Sequence, residues 1–149
     1  MRRSLMTLIL AAAMPVAAIA QDAGGQAAGS QAAGGPGTKP ALYTADQANA
    51  GAAVYAQSCA ACHGSQLEGV AAPALKGPAF GDMANAQSLT ADALLDVIVN
   101  TMPQSDPGSL KPEEFAAVTA YILQQNNYPA GTVALTKDEP GLKDAKITP

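Results

Sequence analysis

Cys59-Ala60-Ala61-Cys62-His63 decides the reading of this chain, because it holds both cysteines and the one histidine of a 149-residue sequence. C-x-x-C-H is the signature of covalent haem attachment. Two thiols three residues apart can each reach a vinyl group on one edge of a haem and form thioethers. The imidazole that follows then falls beneath the porphyrin face, where a ring nitrogen can take the proximal position on iron. One haem c per chain, with iron on His63, is the expected cofactor.

Other uses of these residues are weaker. A structural zinc site wants four ligands, mostly Cys and His, and this sequence offers three in total. A redox-active C-x-x-C opens a helix in a βαβ setting, and no such alternation is present. A disulfide between Cys59 and Cys62 would close so short a loop that it would add little stability.

The amino terminus agrees with attachment outside the cytoplasm. Arg2 and Arg3 form a basic start, residues 5–18 are mostly apolar, and Ala18-Ile19-Ala20 is an A-x-A cleavage site. A Sec-type signal peptide is expected over residues 1–20, and a periplasmic mature protein with no stable membrane insertion follows. The apolar run is interrupted by Pro15 and is short for a span, which needs ~20 residues. An uncleaved amino-terminal anchor is the alternative.

Residues 21–40 are dominated by Ala, Gly, Gln and Ser, a composition with nothing to bury, and are expected to form a flexible linker. The folded domain is expected over residues 41–131, with a tail over 132–149. With no Trp, four Tyr and two Phe in the whole chain, few large side chains can build a core. A domain of this size is marginal on its own apolar burial, and a buried haem would supply the missing volume. Without the signal peptide both arginines are gone, and six lysines face twelve Asp and Glu residues, a net charge of −6. That balance argues against nucleic acid and anionic membrane as partners, and favours a partner with a basic docking surface.

The expected fold class is all-α, three or more helices wrapped around one haem. Thr44 with Gln47 reads as a capping box opening a first helix that delivers the chain to Cys59. Six Gly or Pro residues between Gly64 and Gly81 mark a shaped loop. Thr90 caps a helix with Leu94, Leu95, Ile98 and Val99 on one face, ending at Met102-Pro103. Pro112, Glu113 and Glu114 open a third helix with Phe115, Val118, Tyr121 and Ile122 as its stripe, interrupted by Thr119 and ended by Asn126-Asn127.

With these features in place, residues 44–131 resemble the class I, mono-haem cytochromes c, of the compact bacterial periplasmic type. Gly51 and Tyr55 are similar to the Gly-x-x-x-aromatic pattern of that family's first helix, and Ala120-Tyr121-Ile122 to the aromatic pattern of its last. The resemblance implies that these helices cross, with Gly51 meeting Tyr121. Thr101-Met102-Pro103 resembles the distal-ligand motif, which makes Met102 the sixth iron ligand. Its spacing from His63 fits the compact members, and Met83 is left to pack in apolar surroundings. Pro73-Ala74-Leu75 resembles the proline-containing haem-edge segment. Pro73 would accept a hydrogen bond from the proximal imidazole, and Leu75 would touch haem.

A His/Met pair leaves no iron site for substrate. The expected function is therefore single-electron transfer, with no enzymatic activity in the chain itself, and its partners are redox proteins: a dehydrogenase as donor, an oxidase or another cytochrome as acceptor. Leu67-Glu68-Gly69 and residues 127–131 are similar to haem modules that serve quinoprotein dehydrogenases. A haem enzyme or gas sensor with an open axial position is the alternative, and Met102 separates the two.

Overall fold

The computed structural model describes residues 39–148, and the expected signal peptide and all but the last two residues of the expected linker lie outside them. Five helices follow in order: α1 (Ala45–Ser58), α2 (Ala60–His63), α3 (Gly77–Ala86), α4 (Ala91–Thr101) and α5 (Pro112–Gln125). Among the described residues the only β pairing is two isolated bridges, Thr44 with Gly131 and Thr90 with Lys146. The fold is all-α, as the periodicity and caps imply.

α5 is the helix around which the rest is arranged. Its residues from Phe115 to Ala120, together with Ile122 and Leu123, are all buried. A helix covered on so many sides cannot keep a polar stripe. Thr119, which breaks the apolar pattern, is itself fully buried, and its hydroxyl donates to the Phe115 carbonyl at 2.8 Å. That bond back along the helix removes the cost of an unpaired buried hydroxyl. The helix start is set by Pro112 in the first turn, and the Glu114 carboxylate accepts from the Lys111 N–H at 2.8 Å.

α1 crosses α5 at Gly51. A Cβ at this position would run into the Ala117 carbonyl, and would lie 3.0 Å from the Tyr121 Cβ. The close approach expected between Gly51 and Tyr121 is present, but the tighter contact is with the Ala117 backbone. One turn further along, the rings of Tyr55 and Tyr121 meet with centroids 5.4 Å apart and planes tilted by 51°, an arrangement favoured by their quadrupoles.

Three local expectations are revised. The Thr44 hydroxyl accepts from the Gln47 N–H at 3.3 Å, but the Gln47 side chain does not complete the box. It turns instead to Leu135, donating to its carbonyl and accepting its N–H, both at 2.8 Å. The Gly64–Gly81 loop is shorter than expected, because Gly77-Pro78 begins α3. Proline is tolerated in a first turn, where its missing N–H has no helical partner to lose. The chain beyond Gly131 is also packed: Leu135, Leu142, Ala145 and Ile147 are buried, so the core reaches past the boundary expected there.

Candidate functional site

α1 ends at Cys59, whose N–H still donates to the Tyr55 carbonyl at 2.9 Å. The chain then makes one more turn, α2, in which the Cys62 and His63 N–H groups both donate to the Cys59 carbonyl at 3.1 and 2.9 Å. That turn places Cys59 and Cys62 on neighbouring positions of one surface, as residues three apart on a helix must be. Cys59 is half-buried and Cys62 exposed, and no disulfide joins them. Burial pushes the Cys59 thiol up to about 11, with Cys62 beside it adding to the shift, so the thiol stays protonated at neutral pH.

The loop after α2 hangs on the carbonyls of the motif. The N–H groups of Val70, Ala71 and Ala72 converge on the Cys62 carbonyl at 3.2, 3.0 and 3.0 Å, and the Gly69 N–H donates to the His63 carbonyl at 2.8 Å. These acceptors belong to the last turn of a helix and would otherwise lack partners. The folded-back loop brings Pro73 over the imidazole, with His63 Nδ1 at 2.8 Å from the Pro73 carbonyl. A carbonyl only accepts, so Nδ1 carries the proton and the lone pair of Nε2 is left for a metal. His63 is buried, which keeps water from competing for the ring.

Cys59, Cys62, His63 and Pro73 thus form one cluster. Leu75 belongs to the same loop, half-buried, its N–H donating to the Leu67 carbonyl at 2.9 Å. Met102 belongs to another element, the C-cap of α4, half-buried against the apolar core, with backbone bonds to Ile98 and Gly108. Met83, on α3, is likewise half-buried and packed against that core. Two thiols on one turn, an imidazole with Nε2 unprotonated, and a half-buried Leu75 on the loop that folds back over them suit a covalently held haem. Zinc is poorly served: among the described residues no three His, Cys, Asp or Glu side chains gather as a metal-binding group.

Two residues that shape the site were not singled out for it by sequence. The Tyr55 hydroxyl donates to the Gly64 carbonyl at 2.6 Å and so pins the residue that follows His63. Asn126, expected only to stop a helix, is buried, and its Nδ2 donates to the carbonyls of Leu75 and Ile122, both at 2.8 Å. Its Oδ1 accepts from the Gly77 N–H at 3.3 Å. The helix-ending signal did mark the position, and Asn127 beside it adopts a left-handed φ of 62°, but a backbone stop gives no hint of where an amide side chain will reach.

Comparison with known proteins is consistent with this geometry. Residues 46–122, a little over half of the chain, match the family model described as Cytochrome C oxidase, cbb3-type, subunit III. No curated protein sequence matches the chain. Among solved structures it is similar to the sulfane dehydrogenase SoxCD from Paracoccus pantotrophus, with 25% identity and a TM-score of 0.51 over 67% of this chain and 52% of that one. It is also similar to the thiosulfate dehydrogenase TsdBA from Marichromatium purpuratum in its as-isolated form, with 27% identity and a TM-score of 0.42 over 74% of this chain and 28% of that one. The chain therefore spans about half the length of the first structure.

Proposed function

Because the chain belongs to the mono-haem cytochrome c family that the cbb3-type subunit III model describes, a family whose cofactor is a c-type haem, we propose that it is a periplasmic single-electron carrier with His63 and Met102 as axial ligands. The observation that carries this reading is the 2.8 Å contact between His63 Nδ1 and the Pro73 carbonyl, one turn from both thiols. Cys59 and Cys62 tether the cofactor through thioethers, which fixes its edge to the turn α2. Pro73 holds the proton on Nδ1, fixes the ring orientation and raises the basicity of Nε2. Met102 offers a soft thioether, which suits low-spin iron and raises the reduction potential. Leu75 covers the haem edge from the same loop. When bound, the haem supplies a reversible ferric–ferrous couple. With His63 and Met102 both holding the iron, the chain would move electrons and make no bonds in a substrate.

Similarity to a sulfane dehydrogenase supports a dehydrogenase as the redox partner, with this chain as its haem subunit or its acceptor. The expected signal peptide supports export, and among the described residues no helix is long and apolar enough to cross a membrane. Acid-acetone treatment of the exported protein should leave haem on the polypeptide, and replacing Cys59 and Cys62 with Ala should abolish colour. The ferric protein should show the weak far-red sulfur-to-iron band, lost in Met102→Ala and kept in Met83→Ala. Freely extractable haem, or avid carbon monoxide binding by the unaltered protein, would refute the reading.

A further inference from the structure

We propose that residues 132–148 are a strap that positions Met102 by fixing the opposite end of α4, an inference that rests on Met102 being the distal ligand. The first helical turn leaves N–H groups with no acceptor inside the helix. In α4 three of these are satisfied, two of them by the strap. The Ala91 N–H donates to the Ala145 carbonyl at 2.9 Å and the Asp92 N–H to the Leu142 carbonyl at 3.2 Å, while Thr90 Oγ1 takes the Ala93 N–H at 3.2 Å. The Ile147 N–H donates to the Leu89 carbonyl at 2.8 Å, completing the bridge between Thr90 and Lys146.

The strap is held at several points along its length. Gln47 on α1 grips Leu135 through two 2.8 Å bonds, and Leu142 and Ile147 are buried. The Tyr128 hydroxyl donates to the Lys146 carbonyl at 3.0 Å and accepts the Thr148 N–H at 3.1 Å. Lys39 Nζ joins the carbonyls of Asn126 and Thr148 at 2.9 and 3.0 Å. α4 is a continuous helix from Ala91 to Thr101, and the Met102 N–H still donates to the Ile98 carbonyl at 3.0 Å. A helix of this length moves as a rod, so anchoring its start also sets where the residue at its end lies. A metal–ligand bond holds only close to its ideal length, so a ligand at the end of a loosened rod is lost before the fold is.

The test uses the full-length holoprotein with Leu142→Ala, Gln47→Ala and the pair combined. Loosening the strap should raise hydrogen exchange at the Ala91 and Asp92 amides by about tenfold or more, as loss of one or two net hydrogen bonds implies. In the same variants the sulfur-to-iron band should weaken, carbon monoxide should bind and the reduction potential should fall, all well below the unfolding temperature. Leu142→Ile, which conserves volume, should restore the unaltered spectrum. Faster exchange at Ala91 and Asp92 with band, potential and carbon monoxide inertness unchanged would overturn the strap's role, as would variants that fail to loosen the amides at all. Failure of the ligand reading itself looks different: the unaltered protein would lack the band, or Met102→Ala would leave it intact.

Discussion

Asn126 Nδ2 lies 2.8 Å from the Leu75 carbonyl across 51 residues of sequence, which ties the end of α5 to the loop that carries Pro73. The same amide nitrogen bonds the Ile122 carbonyl, and Oδ1 takes the Gly77 N–H, so one buried side chain joins the central helix to both the Pro73–Leu75 loop and the start of α3. Pro73, two residues before Leu75, faces His63. The orientation of the imidazole is thus supported from α5, through a residue that touches neither ring nor thiol.

Replacing Asn126 should loosen that support. Asn126→Ala removes three side-chain hydrogen bonds and leaves the Leu75 carbonyl and the Gly77 N–H without these partners, at a cost of about 1–3 kcal/mol. Asn126→Asp should be worse, because it loses both donors and places negative charge at a helix C-terminus, where the dipole opposes it. Denaturant titrations should rank unaltered protein above Ala and Ala above Asp. The reduction potential should fall in both variants as His63 loses its fixed orientation. An Asp variant as stable as the unaltered protein would show that the amide protons are dispensable.

Gly51→Ala should be among the most damaging small changes to the fold. The added methyl would meet the Ala117 carbonyl, a backbone atom that cannot rotate away, so α1 and α5 would have to separate. Overpacking of this kind costs about 3 kcal/mol, enough to lower the midpoint of thermal unfolding by about ten degrees or more in a domain of this size. Ala53→Gly, on the exposed side of the same helix, should cost only about 1 kcal/mol through helix propensity. Equal effects of the two would mean that the helix crossing is not tight.

The parts legible in sequence were those written in local chemistry. The motif from Cys59 to His63 was readable because no other cysteine or histidine competes for its meaning, and α4 and α5 because Thr90, Pro103 and Pro112 punctuate them. α3 was hidden by Gly77-Pro78, a pair that signals a break when read alone and a first turn once the chain is folded. Gln47 fitted a capping box at the right spacing, yet the partner that claims its amide is 88 residues away. Leu135, Leu142 and Ile147 follow neither a helical nor a strand period, so nothing local distinguishes a packed strap from a loose tail. Tyr55 is read on the first helix and Asn126 at the end of the last one, but their side-chain bonds depend on tertiary neighbours that periodicity does not describe.

Tyr55 predicts a dependence on alkaline pH. Burial holds its hydroxyl up to about 12 against an ordinary 10.0, with the charges of neighbouring groups adding less. The unfolded chain therefore ionises first. The stability contributed by the protonated phenol is whole below pH 10, and is lost as pH rises through 12. Tyr55→Phe should cost about 1–2 kcal/mol at neutral pH, from the lost bond and the orphaned Gly64 carbonyl. In the same variant the loss of stability above pH 10 should be shallower than in the unaltered protein. Parallel pH profiles would show that other groups govern alkaline unfolding.

Association with the redox partner should weaken with salt. Without residues 1–20 the chain carries six lysines and twelve Asp and Glu residues, a polypeptide charge of −6. Long-range attraction then selects a partner with a basic docking surface and raises the encounter rate. Transient redox complexes bury little area, commonly below ~1,200 Å², so a large share of their rate rests on such steering. The Debye length shrinks from about 10 Å at 0.1 M salt to about 3 Å at 1 M. Stopped-flow measurement of the second-order electron-transfer rate with its redox-protein partner should therefore show a steady fall over that range. A rate indifferent to salt would assign the carboxylates to solubility, and leave apolar contact around exposed residues such as Val70 to govern docking. A rate that climbs with salt would require an acidic partner surface and would rule out basic complementarity.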